Sequence, residues 1–210
     1  MEIRFASNPN DVKYYDTSRL RKEFLIESLF RPDAVDLVYS QTDRIIVGSA
    51  VPATKTLSLP DGEELKSEYF LERREMGIIN IGGKGIISVD GTAYELDKKD
   101  CLYISMGTKE VLFSSIDKNS PAQFYINSCS AHQSYPTVFI SPDDAEHAEF
   151  GSPFTSNERV INKYIHPAGA KSCQLVMGLT EFKPGSVWNT MPCHTHDRRM
   201  EVYLYFDIAG

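Results

Sequence analysis

The feature that most narrows the fold is a succession of short apolar runs, each cut off by turn chemistry, from about Asp36 onward. The runs include Leu37-Val38-Tyr39, Arg44-Ile45-Ile46-Val47, Met76-Gly77-Ile78-Ile79-Asn80-Ile81 and Lys84-Gly85-Ile86-Ile87-Ser88-Val89. Cys101-Leu102-Tyr103-Ile104, Glu110-Val111-Leu112-Phe113 and Ala122-Gln123-Phe124-Tyr125-Ile126 continue the series. Such runs are too short for helices and rich in strand formers. The breakers are Pro60-Asp61-Gly62, Gly82-Gly83, Asp90-Gly91, Ser105-Met106-Gly107 and Asn119-Ser120-Pro121. Asp90-Gly91 is a strong hairpin signal, because a two-residue turn wants positive φ at both positions. Many short strands between such turns predict an antiparallel sandwich or barrel.

The order from Gly83 to Ile104 reads strand, tight turn, strand, turn, strand. Small jelly rolls of the cupin type are built that way, and the likeness covers residues 36–130. Ahead of it, residues 17–31 show Leu20, Phe24, Leu25, Ser28 and Leu29 at helical spacing. Thr17 or Ser18 would cap this helix and Pro32 would end it, within an N-terminal arm of residues 1–35. Residues 131–157, with Pro136, Pro142, Pro153 and an acidic patch, read as a connector. Strand texture resumes over 158–210, at Val160–Ile165, Cys173–Phe182 and Glu201–Phe206. Phe70-Leu71-Glu72-Arg73-Arg74-Glu75-Met76 echoes Thr195-His196-Asp197-Arg198-Arg199-Met200-Glu201. Aligned on the Arg pairs, Tyr69 and Leu71 stand where His194 and His196 stand. The echo predicts a mainly β, duplicated barrel (a bicupin) whose first copy has no metal ligands. The second copy falls short of the eight strands a jelly roll needs. It is expected to be truncated at its C-terminal side, or else completed by a partner strand.

Composition removes several function classes. The chain has 210 residues, 41% apolar and 24% charged, enough to bury a sizeable core. A formal net charge of −7 argues against a nucleic-acid footprint. It leaves room for a small anionic substrate, since a few local Arg residues can reverse the field in a pocket. No stretch approaches the ~20 apolar residues of a membrane helix. Met1-Glu2-Ile3-Arg4-Phe5 lacks the pattern of a signal peptide. Cys101, Cys129, Cys173 and Cys193 are widely spaced, which reads as reduced thiols in a cytoplasmic protein.

The chemistry concentrates in Pro192-Cys193-His194-Thr195-His196-Asp197-Arg198-Arg199-Met200-Glu201. His-x-His on a strand sets two imidazoles on one face. A turn at Asp197-Arg198-Arg199 would bring Glu201 alongside. Two His and a carboxylate suit zinc, iron or manganese with an open position, and the imidazole-rich donor set leans toward zinc. His-x-His alone is a weak motif, and two surface histidines with a nearby Glu also occur by chance. Arg198 or Arg199 could hold a sugar acid's carboxylate in bidentate geometry, the plain alternative being a solvated turn. Lys163 and Tyr164 are weaker candidates for substrate contact or proton transfer, because a strand Lys is usually just solvated.

Several runs then resemble a known family. They are Asp43-Arg44-Ile45-Ile46-Val47-Gly48, Tyr69-Phe70-Leu71-Glu72-Arg73-Arg74-Glu75, Thr155-Ser156-Asn157 with Arg159, Ile161-Asn162-Lys163-Tyr164, and Trp188-Asn189-Thr190-Met191-Pro192-Cys193-His194-Thr195-His196. Together they resemble the 5-keto-4-deoxyuronate isomerases of pectin breakdown, from Asp16 onward. The resemblance implies a bicupin, a zinc ion, a homohexamer, a cytoplasmic location and the conversion of 5-dehydro-4-deoxy-D-glucuronate into 3-deoxy-D-glycero-2,5-hexodiulosonate. It carries the zinc ligands onto His194, His196 and Glu201. It also implies a fourth ligand, a histidine, further along than residue 210, so the site within these residues is expected to be incomplete. Two rival readings share the ligand set: another metal-dependent cupin enzyme such as a dioxygenase, and a non-catalytic sugar-binding cupin.

Overall fold

The computed structural model describes residues 1–189, 196, 197 and 199–208. Fourteen strands dominate it. They are β1 (Glu2–Arg4), β2 (Val35–Ser40), β3 (Ile46–Ala50), β4 (Leu57–Ser58), β5 (Arg74–Asn80), β6 (Gly85–Val89) and β7 (Thr92–Leu96). The rest are β8 (Cys101–Ile104), β9 (Val111–Ser115), β10 (Phe124–Ser130), β11 (Val138–Ile140), β12 (Glu146–Phe150), β13 (Arg159–Ile165) and β14 (Met177–Phe182). Two short helices, α1 (Pro9–Val12) and α2 (Thr17–Phe24), lie in the N-terminal arm.

The strands form one complete jelly roll. One sheet runs β4-β9-β6-β7. The facing sheet carries β3-β10-β5-β8 at its centre, with β2 and β1 added at one edge and β11 at the other. Eight strands in two four-stranded layers, with partners far apart in sequence, are the double Greek key of a jelly roll. Asp90 and Gly91 join β6 to β7 with φ of 45° and 83°, the paired positive φ that the hairpin signal demands. The Asp90 carboxylate accepts the Lys109 and Glu110 N–H groups, tying that turn to the start of β9.

Alternation in the central strands feeds two cores. Met76 and Ile78 of β5 and Phe124 and Ile126 of β10 point between the sheets, against Phe113, Leu102 and Ile104. The interior of this first barrel is therefore packed mainly with apolar side chains. The opposite face of the same strands presents Ile79, Ile81 and Tyr125 to a second core. There Tyr164, Ile165, Leu175, Met177 and Leu179 cover it from β13, β14 and the loop between them. The strands β12-β13-β14 make a separate three-stranded sheet, the core of a second unit. The segment read as a connector is thus partly ordered into strands: β11 pairs with β8 of the first barrel and β12 with β13 of the second unit.

Glu75 is a buried polar tie between the two units. Its side chain is fully buried on the outer face of β5. Oε1 accepts the N–H groups of Gln174 and Leu175 at 2.7 and 2.8 Å. Oε2 accepts the Cys173 N–H at 2.7 Å and the Tyr103 hydroxyl at 2.9 Å. A buried carboxylate survives without a cationic partner only when donors surround it in this way.

Two expectations need correction. The helix expected over 17–31 stops at Phe24, and Asp16, not Thr17 or Ser18, caps it through the Arg19 N–H. None of its residues is buried, so nothing extends an eight-residue helix that is marginal by itself. Ile26, Leu29 and Phe30 instead leave the helical path and pack against the outer core. The strand expected over Glu201–Phe206 forms no ladder among the described residues. Met200, Val202, Leu204 and Phe206 pack on the outer core, while Glu201, Tyr203 and Tyr205 are exposed. The two-residue alternation of a strand is there without the pairing. Among the described residues no helix is long and apolar enough to cross a membrane.

Candidate metal centre

The strap formed by residues 199–207 is fixed to the first barrel at both ends. The Met200 N–H donates to Asp43 Oδ2 at 2.7 Å, in the turn between β2 and β3. Near the other end Asp207 meets Lys98 Nζ at 2.7 Å, in the turn between β7 and β8. With the even-numbered residues half-buried against the outer core, Glu201 faces outward. His196 Nε2 lies 2.9 Å from Glu201 Oε1. Arg199 Nη2 lies 3.1 Å from the same oxygen. The Tyr203 hydroxyl donates to Glu201 Oε2 at 2.7 Å, two residues on and on the same face.

These contacts set the charge state of the site. The hydrogen bond from Tyr203 is the largest influence on the Glu201 carboxyl and holds it below the usual carboxylate range. Partial burial works against this, and the charges of His196 and Arg199 reinforce it. Glu201 is therefore an ionised, acceptor-only group with an imidazole on one oxygen and a phenol on the other.

The donor set fits a borderline divalent ion. Imidazole nitrogen and carboxylate oxygen are ordinary zinc ligands, and two ligands of one tetrahedral ion with bonds of ~2.0–2.1 Å stand ~3.3 Å apart. The observed 2.9 Å lies a few tenths of an ångström inside that, so a small opening of the pair would admit an ion. A ligating carboxylate steadied by a second hydrogen bond, here from Tyr203, is the usual outer-shell arrangement. His194 and Arg198 lie outside the described residues, so two of the three expected ligands can be placed and no full set is assembled. Among the described residues no group of three or more His, Cys, Asp and Glu converges.

The other candidate residues sit elsewhere. Lys163 donates to Glu146 Oε1 at 2.6 Å, and their strands pair in register at that point. The Lys163 bond holds the Glu146 carboxyl below its ordinary range, and His166 approaches the other oxygen at 3.7 Å. Both line a groove of about 570 Å³ with Tyr135, Val138 and Ile140. Tyr164 is buried with its hydroxyl donating to the Lys99 carbonyl at 2.8 Å, and burial pushes its ionisation up. It acts as a structural tie. Asp43 and Tyr203 escaped the sequence reading. Tyr203 could have been found from its i+2 spacing to Glu201. Asp43 is 158 positions from Glu201 and carried no local signal.

A complete jelly roll followed by a strap that presents imidazole and carboxylate together defines a mainly β protein of cupin type. The chain belongs to the KduI/IolB family, whose model matches residues 24–207. It is 64% identical to a 4-deoxy-L-threo-5-hexosulose-uronate ketol-isomerase of Lachnoclostridium phytofermentans, over 99% of this chain and 75% of that protein. Proteins of the same name from Lachnospira eligens and Escherichia coli are 58% and 52% identical, each over 99% of this chain and 76% of the relative. Among solved structures, an IolB-like protein of Salmonella typhimurium gives a TM-score of 0.44 at 14% identity, covering 57% of this chain and 43% of that one. A cupin protein of Bacteroides fragilis gives 0.35 at 20% identity, covering 53% of this chain and 90% of that one.

Proposed function

We propose that this protein is a ketol-isomerase of uronate catabolism, converting 5-dehydro-4-deoxy-D-glucuronate into 3-deoxy-D-glycero-2,5-hexodiulosonate with the help of zinc. The observation that carries the reading is the 2.9 Å approach of His196 to an ionised Glu201, in a chain 64% identical to a protein named for this chemistry. The ligands would be His194, His196 and Glu201. A cytoplasmic homo-oligomer, a hexamer in the family it resembles, belongs to the same reading.

Isomerisation of this kind moves a proton between adjacent carbons through an enediol. A bound divalent ion would supply Lewis acidity toward the carbonyl oxygen at which negative charge develops. The chain's own residues do the rest. Glu201 contributes fixed negative charge, and Tyr203 holds its second oxygen so that the first faces His196. Arg199, whose guanidinium already seeks a carboxylate, is placed to bind the acid end of the substrate beside the strap. Arg198 is its alternative in that role. A proton must be moved between the carbons; Lys163, the sequence's candidate, stands in a separate groove as an ammonium donating to Glu146, so it would act as the base only after giving up a proton.

The test is His196→Ala. Elemental analysis of the purified variant should show bound zinc lost, and turnover should vanish with it. Full metal content in the variant would sink the site assignment.

A further inference from the structure

The run Asp43-Arg44-Ile45-Ile46-Val47-Gly48 stood out in the sequence without a role, and the structure gives it one. The strap has no ladder partner among the described residues. Its register therefore cannot come from strand pairing. A slip of one residue would turn Glu201 into the outer core and Met200 outward, since side chains alternate along extended chain. The backbone bond from Met200 to Asp43 fixes that register one residue before Glu201. It is a charge-assisted bond to an ionised acceptor, the stronger kind.

Asp43 is itself held by the first barrel. Asp43 and Arg44 both have φ of 52°, left-handed backbone within the loop 41–45 that joins β2 to β3. Asp tolerates that conformation, whereas Arg rarely adopts it. The Arg44 carbonyl accepts a bond at 2.7 Å from Arg74 Nη2. Arg74 is buried at the head of β5 and also bonds Ser128 through Nε and Nη2. A continuous chain of contacts thus runs from the first barrel's central strands to the residue preceding Glu201.

We propose that the first barrel, whose interior is packed mainly with apolar side chains, supplies a positioning residue to the second unit's metal centre. Asp43 sets the register of the strap, and Tyr203 then sets the rotation of the Glu201 carboxylate. The inference deepens the metal-site reading above and rests on it. Neither residue touches substrate; both act through Glu201.

The experiment measures Co2+ binding to the purified chain by chelator competition and by the visible absorption of the bound ion. Asp43→Gly keeps the positive φ of the turn and removes the acceptor. It should weaken Co2+ binding by ~10-fold or more, the range of lost outer-shell partners. Asp43→Asn, which keeps an acceptor oxygen, should restore most of the affinity. Tyr203→Phe should weaken binding on a similar scale and change the absorption envelope, because a freed carboxylate coordinates differently. Tyr203 is 55% exposed, so this variant should fold even if Asp43→Gly does not. Unchanged affinity in both Asp43→Gly and Tyr203→Phe, with binding lost in Glu201→Gln, would overturn the positioning proposal alone. Binding that Glu201→Gln leaves intact would overturn the metal site and the proposal together.

Discussion

Replacing Glu75 by Ala would test how the two units are held together. The change strands four donors: the Tyr103 hydroxyl and the N–H groups of Cys173, Gln174 and Leu175. Gln174 is exposed and Cys173 half-buried, so water can replace most of what they lose. Tyr103 and Leu175 are buried at 0% and 3% exposure and cannot be resolvated in place. Two buried unsatisfied donors at ~1–3 kcal/mol each give a cost of ~2–6 kcal/mol. That is a large share of the ~5–15 kcal/mol that holds a typical domain folded. Glu75→Gln should cost less, because a Gln amide nitrogen beside Tyr103 can donate to the rotated phenol and leaves mainly the Cys173 N–H without an acceptor. The assay is urea unfolding followed by two probes. Trp188 is the chain's one tryptophan and bonds the Thr155 carbonyl in the C-terminal unit, so its fluorescence reports that unit. Far-UV circular dichroism reports all strands. In Glu75→Ala the fluorescence midpoint should fall by on the order of 2 M urea, with a slope of ~1–3 kcal/mol per M, while the dichroism keeps a later phase from the first barrel. Coincident transitions with an unmoved fluorescence midpoint would refute the claim that Glu75 ties the units.

Three further outcomes are expected. Gly77→Ala would place a methyl 2.7–2.9 Å from Ile165, Met177 and Leu175 side-chain atoms, overpacking the outer core at a cost of ~1–3 kcal/mol; the fluorescence midpoint of the C-terminal unit should register it. The Asp33 carboxyl is held below its ordinary value by the Thr54 hydroxyl and N–H, at 2.6 and 2.7 Å. Its contribution is therefore present above the unfolded value of about 3.9 and is lost as pH falls through the folded value; the gap in unfolding midpoint between the chain and Asp33→Asn should narrow on acidification. Lys163→Met should change stability by no more than ~1 kcal/mol, because the pair with Glu146 is solvent-exposed; thermal unfolding checks this, and a turnover loss of ~100-fold in the same variant would mark Lys163 as the proton carrier.

The first barrel was legible because its signals are local. Alternation and turn residues lie within ten positions of each other, and Asp90-Gly91 forms the hairpin it announces. Errors arose where packing overrode local pattern. Leu29 fits a helical stripe, yet the outer core takes it in extended form along with Ile26 and Phe30. The strap over 201–206 reads as a strand because its alternation is real, but alternation records burial on one face and says nothing of a ladder. Of the candidate site, His196 and Glu201 were readable from spacing, since both lie within six residues. Asp43 was not, because its contact with Met200 exists only once the second unit is laid on the first.

The Arg-pair echo gains a physical meaning from that arrangement. Its alignment places β5 opposite the strap, with Met76 against Glu201 and Glu75 against Met200. The parities agree. Glu75, Gly77, Ile79 and Ile81 face the outer core or the loop that covers it, and Met200, Val202, Leu204 and Phe206 pack on that same core. The strand and the extended strap thus each turn their alternate residues away from the shared core. In the first barrel those residues are Met76 and Ile78, both with no exposed surface, and the space they point into is closed by apolar packing. On the strap the same positions are Glu201 and Tyr203, hydrogen-bonded to each other and open to the outside. One position therefore distinguishes the two segments. A thioether there completes a core that stabilises the scaffold, and a carboxylate there would supply the proposed site with a ligand whose direction the scaffold sets.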